Sequence, residues 1–105
     1  MKLEAKMRKI LITLALLAFT NFSFALTGNE LYQDMQTRPQ FAHGYIYGVT
    51  EMMANMPNAC IQKGVTYGQI SDVAYNYIRD NPQARHNHAI VIIGSLIDNN
   101  FSCKK

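Results

Sequence analysis

Residues 82–100 read PQARHNHAIVIIGSLIDNN, and whether this run is a strand or a helix decides the fold class. Its centre, Ala89-Ile90-Val91-Ile92-Ile93, is β-branched and on its own suits a buried strand. Two features favour a helix. Asn81 can cap it with Pro82 in the first position, where the missing N–H is harmless. The apolar residues Ala89, Ile90, Ile93, Leu96 and Ile97 then recur at helical spacing up to an Asn99-Asn100 stop. No second strand-like run exists for this segment to pair with. The spacing therefore predicts a helix and an all-α chain.

Working outward, three helix starts divide the rest. Thr27-Gly28-Asn29-Glu30 fits a capping box ahead of Leu31, Tyr32 and Met35, predicting a short first helix. Thr37-Arg38-Pro39-Gln40 fits a second box, and Thr66-Tyr67-Gly68-Gln69 a third, just after the breaker Gly64. The second helix is expected over 39–55, with Phe41, Tyr45, Val49, Met52 and Met56 on one face. Gly44 and Gly48 lie beside that stripe, and the simplest expectation is that a neighbouring helix or ring approaches the backbone there. The third helix, 67–79, shows Ile70, Val73, Ala74, Tyr77 and Ile78 as its apolar stripe. The whole is a small bundle of about four helices, without repeats or internal linkers.

Residues 1–25 read as a signal peptide. Lys2, Lys6, Arg8 and Lys9 precede the apolar run Ile10–Phe19, and Ser23 and Ala25 supply the small residues that cleavage requires. The apolar run is shorter than the roughly twenty residues a bilayer span needs. Cleavage leaves a domain of residues 26–105. The leader carries the whole formal charge of +3, so the remainder is neutral. A neutral surface has no basic stripe for phosphates, which argues against nucleic acid as partner. It also leaves room for self-association or a protein partner.

A domain this small usually needs a staple beyond its core. Cys60 and Cys103 are the two cysteines, and export would deliver them to an oxidising compartment. The expectation is one disulfide; two unpaired thiols are the alternative.

Chemistry is harder to find. His86-Asn87-His88 places two imidazoles about 200° apart on a helix, where they cannot share an ion, and no third ligand is near in sequence. Here they read as polar residues in the first turns of the fourth helix, and His43 as a surface or capping residue. Ser71, Ser95 and Ser102 lack a nucleophile elbow, the carboxylates are scattered, and no glycine-rich phosphate loop follows a strand. No catalytic, metal or cofactor site is predicted. Tyr45 and Tyr77 fit the core stripes. Tyr47 and Tyr75 fall off them, either as interface residues or partly buried against a neighbouring helix.

The order Gly44-Tyr45-Ile46-Tyr47-Gly48-Val49, Cys60, Gly64-Val65-Thr66 with Gln69, Tyr77-Ile78, Pro82, Ala89 and Phe101-Ser102-Cys103 resembles the Rap/Tai immunity proteins. The likeness spans nearly all of residues 26–105. Ser102 stands where a proline is usual, and Ile61 and Gln62 where a proline often follows the middle cysteine. A further cysteine pair common in that family would fall near Met35 and Ala42 and is missing here, so the first helix should be less firmly held. The resemblance implies a helical periplasmic protein, often a homodimer. It would occlude the active site of a type VI secretion amidase effector that cuts peptidoglycan peptides. It names no contact residues. Two polar, proline-bearing loops are candidates on composition: Asn55 and Asn58 in 55–64, and Arg79, Asp80, Asn81 and Gln83 in 79–85. A small periplasmic chaperone or a lysozyme-inhibitor-like binding protein is the alternative reading, and a secreted enzyme is disfavoured.

Overall fold

The computed structural model describes residues 4–12 and 25–103. Residues 4–12 are helical and exposed, and Ala25 is exposed; residues 1–3 and 13–24 of the expected leader lie outside the described residues. Four further α-helices follow: α1 (Gly28–Thr37), α2 (Pro39–Ala54), α3 (Tyr67–Asp80) and α4 (Ala89–Phe101), with a 3-10 turn at Pro82–Ala84. There are thus five α-helices rather than about four, and no strand, among the described residues. The run 89–93 is helix. Among these residues no helix is long and apolar enough to cross a membrane.

Every pair among α1 to α4 is in contact. Their shared core is Leu31, Ala42, Ile46, Val49, Ile70, Ala74, Ile78, Ala89, Ile92, Ile93 and Ile97. Two of the three expected capping boxes start helices. Thr27 Oγ1 accepts from Glu30 N–H while the Glu30 carboxylate accepts from Thr27 N–H, and Thr66 and Gln69 repeat the exchange. The Thr27 bonds hold the Glu30 carboxyl below its ordinary range. Gly64, at φ 87°, turns the chain into the second of these starts.

The Thr37 box is not formed. α1 runs through Thr37, whose hydroxyl donates to the Gln33 carbonyl one turn back, and Arg38 becomes the N-cap of α2 with Pro39 behind it. The Arg38 guanidinium returns to the buried Asp34 carboxylate at 3.0 Å.

The long helix expected from Pro82 is broken. Asn81 does not cap it; its amide donates to the Tyr77 carbonyl instead. After the 3-10 turn, residues 85–88 pair with the segment that enters α1. Gly28 and Asn29 N–H donate to the Asn87 and Arg85 carbonyls, and Ala89 N–H donates to Leu26. That pairing, bridged at Thr27 and His88, delays α4 until Ala89. His86 and His88 therefore lie in a connection, not in the first turns of a helix.

Packing here is tight. A Cβ on Gly28 would come within 2.9 Å of the Arg85 backbone and of the Ile92 side chain. Gly28→Ala should therefore cost about 2 kcal/mol by overpacking, read as a fall in the denaturation midpoint. A cost near zero would mean that the 85–88 segment moves aside freely.

The face of α2 also differs from expectation. Ala42, Ile46 and Val49 are buried, whereas Phe41, Met52 and Met56 are exposed. Among the described residues, a Cβ built at Gly44 or Gly48 would meet nothing within 4 Å, so no neighbouring helix or ring packs directly on the backbone there.

Candidate functional site

Two of the connections carry the candidate contact residues. The first, 55–66, leaves α2 at Asn55, whose amide donates to the Glu51 carbonyl one turn back. Met56 and Ala59 N–H close successive turns, and Asn58 takes the left-handed conformation at φ 65°, which asparagine tolerates well. All of 55–60 is exposed.

The far side of this tip is tied down. Cys60 and Cys103 form the expected disulfide, with Cα atoms 5.4 Å apart. Around it, Cys103 N–H donates to the Cys60 carbonyl, Gln62 N–H to the Phe101 carbonyl, and the Gln62 amide to the Ser102 carbonyl. The tip is thus held between a helix end and a disulfide-stapled pairing of two extended segments, bridged at Ile61 and Ser102. A shallow groove beside the bridge is lined by Met53, Asn58, Ile61, Ile97 and Asp98.

The second, 79–85, comprises the last two residues of α3 and the connection that follows it. Arg79 and Asp80 pair with each other at 2.9 Å, which lowers the Asp80 carboxyl below its usual range and raises the Arg79 guanidinium. The Gln83 amide donates to Asn81 Oδ1. The guanidinium of Arg85 donates to the Ile78 and Arg79 carbonyls at 2.7 and 2.8 Å and lies 3.7 Å from the centre of the Tyr32 ring. Those carbonyls are the unpaired ones at the end of α3, so Arg85 caps that helix from outside.

The structure does not bring the two loops together. One precedes α4 and the other is bonded to its far end, so the helix separates them by about 20 Å.

Sequence reasoning missed a third cluster. The His43 ring stacks on Tyr75 at 5.2 Å, and its Nδ1 lies 3.3 Å from Ser71 Oγ. The Tyr67 hydroxyl donates to the His43 carbonyl, and Tyr47 meets Tyr67 edge-on at 5.1 Å. Burial raises the phenol pKa of both Tyr67 and Tyr75, and the Tyr75 hydroxyl is enclosed without a partner. The hints were Tyr67, Ser71 and Tyr75 at four-residue steps and His43 and Tyr47 likewise; that the two rows face each other is a tertiary fact. Ser71 is buried, so this pair ties α2 to α3 and offers no nucleophile to solvent. Among the described residues no group of three His, Cys, Asp or Glu side chains could hold a metal ion.

Fold and site together define a small helical domain with an exposed tip that ends at a disulfide and a second polar loop, an arrangement suited to surface recognition. Its sequence matches the family described as Rap1a immunity proteins over residues 27–103, and the chain belongs to that family. Membership makes it an immunity protein for a secreted effector, with a protein as its binding partner, and points to a non-enzymatic role. Neither the curated proteins nor the solved structures contain a match.

Proposed function

We propose that this protein is exported on residues 1–25 and works in the periplasm. There it binds a type VI secretion amidase effector and occludes the cleft that cuts peptidoglycan peptides, itself catalysing nothing. We further infer that it acts as a homodimer. The family match over residues 27–103 carries this reading. The leader's cation–apolar–small pattern supports export, and the Cys60–Cys103 bridge suits an oxidising compartment.

Occlusion asks for a surface that is ordered before it binds, because ordering on binding subtracts from affinity. The tip at 55–59 meets that condition better than 79–83. It is exposed throughout and fixed at both ends, and it ends at a covalent bridge. Asn55 and Asn58 are therefore the first candidates for the plug. Arg79, Asp80, Asn81 and Gln83 are candidates for a separate contact.

The test is co-purification with a candidate amidase and an assay of its peptidoglycan cleavage. Asn58→Gly removes the side chain while keeping the left-handed backbone. Combined with Asn55→Ala, it should relieve inhibition at least tenfold with little loss of stability. Full inhibition by that variant would remove the tip from the interface. Undiminished cleavage in the presence of the unaltered protein would remove the amidase.

A further inference from the structure

A groove of about 200 Å³ lies between α4 and the end of α3, lined by Tyr77, Asn87, Val91, Ser95, Leu96 and Asn99. Pockets that enclose small molecules usually hold about 300–1,000 Å³, so this one is small for such a ligand. Tyr77 and Leu96 are half-buried, whereas Asn87, Val91, Ser95 and Asn99 are exposed, Val91 at 58%. Val91, Ser95 and Asn99 follow at four-residue steps and share one face of α4.

The polar side chains of this groove are unengaged. Elsewhere the hydroxyls of Thr37 and Thr50 and the carboxamides of Asn55, Asn81 and Asn100 donate to the carbonyl one turn back. Among the described residues, the side chains of Asn87, Ser95 and Asn99 make no hydrogen bond, although Asn100 beside Asn99 does.

We propose that the groove takes an extended, uncharged segment of the secreted effector and holds it by its peptide groups. The inference rests on the immunity reading and deepens it at the second contact, because Ala84 of the 79–85 segment lines the same groove.

Three matches favour this occupant. No side chain that lines the groove is charged, so a charged group laid there would lose water without gaining a partner. A neutral backbone has no such cost. A carboxamide offers an N–H donor and a carbonyl acceptor, the same pair that a peptide group presents, and two carboxamides and a hydroxyl stand open here. The spacing also agrees. Four helical residues rise by about 6 Å. The groups on one edge of an extended chain recur every two residues, at about 6.6–6.8 Å. A strand laid along α4 therefore brings one peptide group to each polar side chain in turn, with Val91 packing between them.

The test is NMR titration of the oxidised protein without its leader, using two capped, uncharged pentapeptides. One alternates serine with valine and the other threonine with alanine. Both should shift the side-chain amide signals of Asn87 and Asn99 and the Val91 methyls at millimolar concentration. The same peptides N-methylated at alternate nitrogens should bind at least tenfold more weakly. Asn87→Ala and Asn99→Ala change exposed residues and should leave the thermal midpoint within a few degrees. Each should weaken peptide binding roughly threefold or more. Together they should raise the dissociation constant of the effector complex about tenfold.

Silence of Asn87 and Asn99 with both peptides, or equal binding of the N-methylated forms, would overturn recognition of the backbone. Unchanged effector affinity in the double variant would overturn the effector as the source of the segment. Failure of the protein to inhibit an amidase would instead count against the proposed cleft occlusion, and the peptide titration is read independently of it.

Discussion

Replacing Cys60 and Cys103 together by serine is expected to lower stability by about 4 kcal/mol, the chain-entropy value for a bridge spanning 43 residues. Globular domains are stabilised by about 0.05–0.15 kcal/mol per residue, so a domain of about 80 residues has about 4–12 kcal/mol in total. The bridge is therefore a third or more of the whole. The thermal midpoint should fall by roughly 15–30 °C. Because the effect arises in the unfolded chain, urea titration should show a steeper slope as well as a lower midpoint once the cross-link is gone. Inhibition should weaken more than stability alone accounts for, since Cys60 is also the inner anchor of the exposed tip. A loss below about 1 kcal/mol would mean that the backbone bonds of Gln62 and Cys103 hold the two ends together unaided.

What the sequence made legible, and what it hid, divides by range of interaction. The Thr27–Glu30 and Thr66–Gln69 boxes are exchanges within one turn, so their residue types suffice to place them. The disulfide was legible because two cysteines allow one pairing. The face of α2 was not, because Phe41, Ala42, Tyr45, Ile46, Tyr47, Val49, Met52 and Met53 make the helix apolar nearly all round. Two stripes one residue apart are then both plausible, and the larger side chains of Phe41 and Met52 favour the wrong one. The core instead takes the small Ala42, fully buried. The family's missing cysteine pair maps next to that position, and Met35 and Ala42 both pack in or against the core without a cross-link.

The break at Asn81–His88 was hidden for a different reason. Pro82 and the residues after it satisfy every local rule for a helix start. What overrides them is a partner some sixty residues earlier, the 26–29 segment, whose N–H and carbonyl groups pair with 85–89. Of the candidate site, the loops could be found from composition. The stapling of the tip on its far side, and the distance that separates it from 79–83, could not.

Arg85 sits where these long-range contacts converge, and Arg85→Ala is expected to cost about 3 kcal/mol. Its guanidinium satisfies two carbonyls at the end of α3 and stacks on Tyr32 of α1, while its own backbone accepts from Asn29. A hydrogen bond from a charged donor contributes about 1.5–3 kcal/mol, and a cation over an aromatic face about 0.5–2 kcal/mol. The contributions overlap, because truncation frees the Ile78 and Arg79 carbonyls to find water, so the total stays below their sum. Arg85→Lys separates the parts. A lysine can keep the charge near Tyr32 or reach one carbonyl, but it cannot span both as the planar fork does. Its cost should therefore fall between zero and the alanine value, closer to alanine. Chemical denaturation of the three proteins gives both numbers. Equal stability of the lysine variant and the unaltered chain would reduce the residue's role to charge alone. A loss under about 1 kcal/mol in the alanine variant would shift the junction's stability onto the backbone pairing of 26–29 with 85–89.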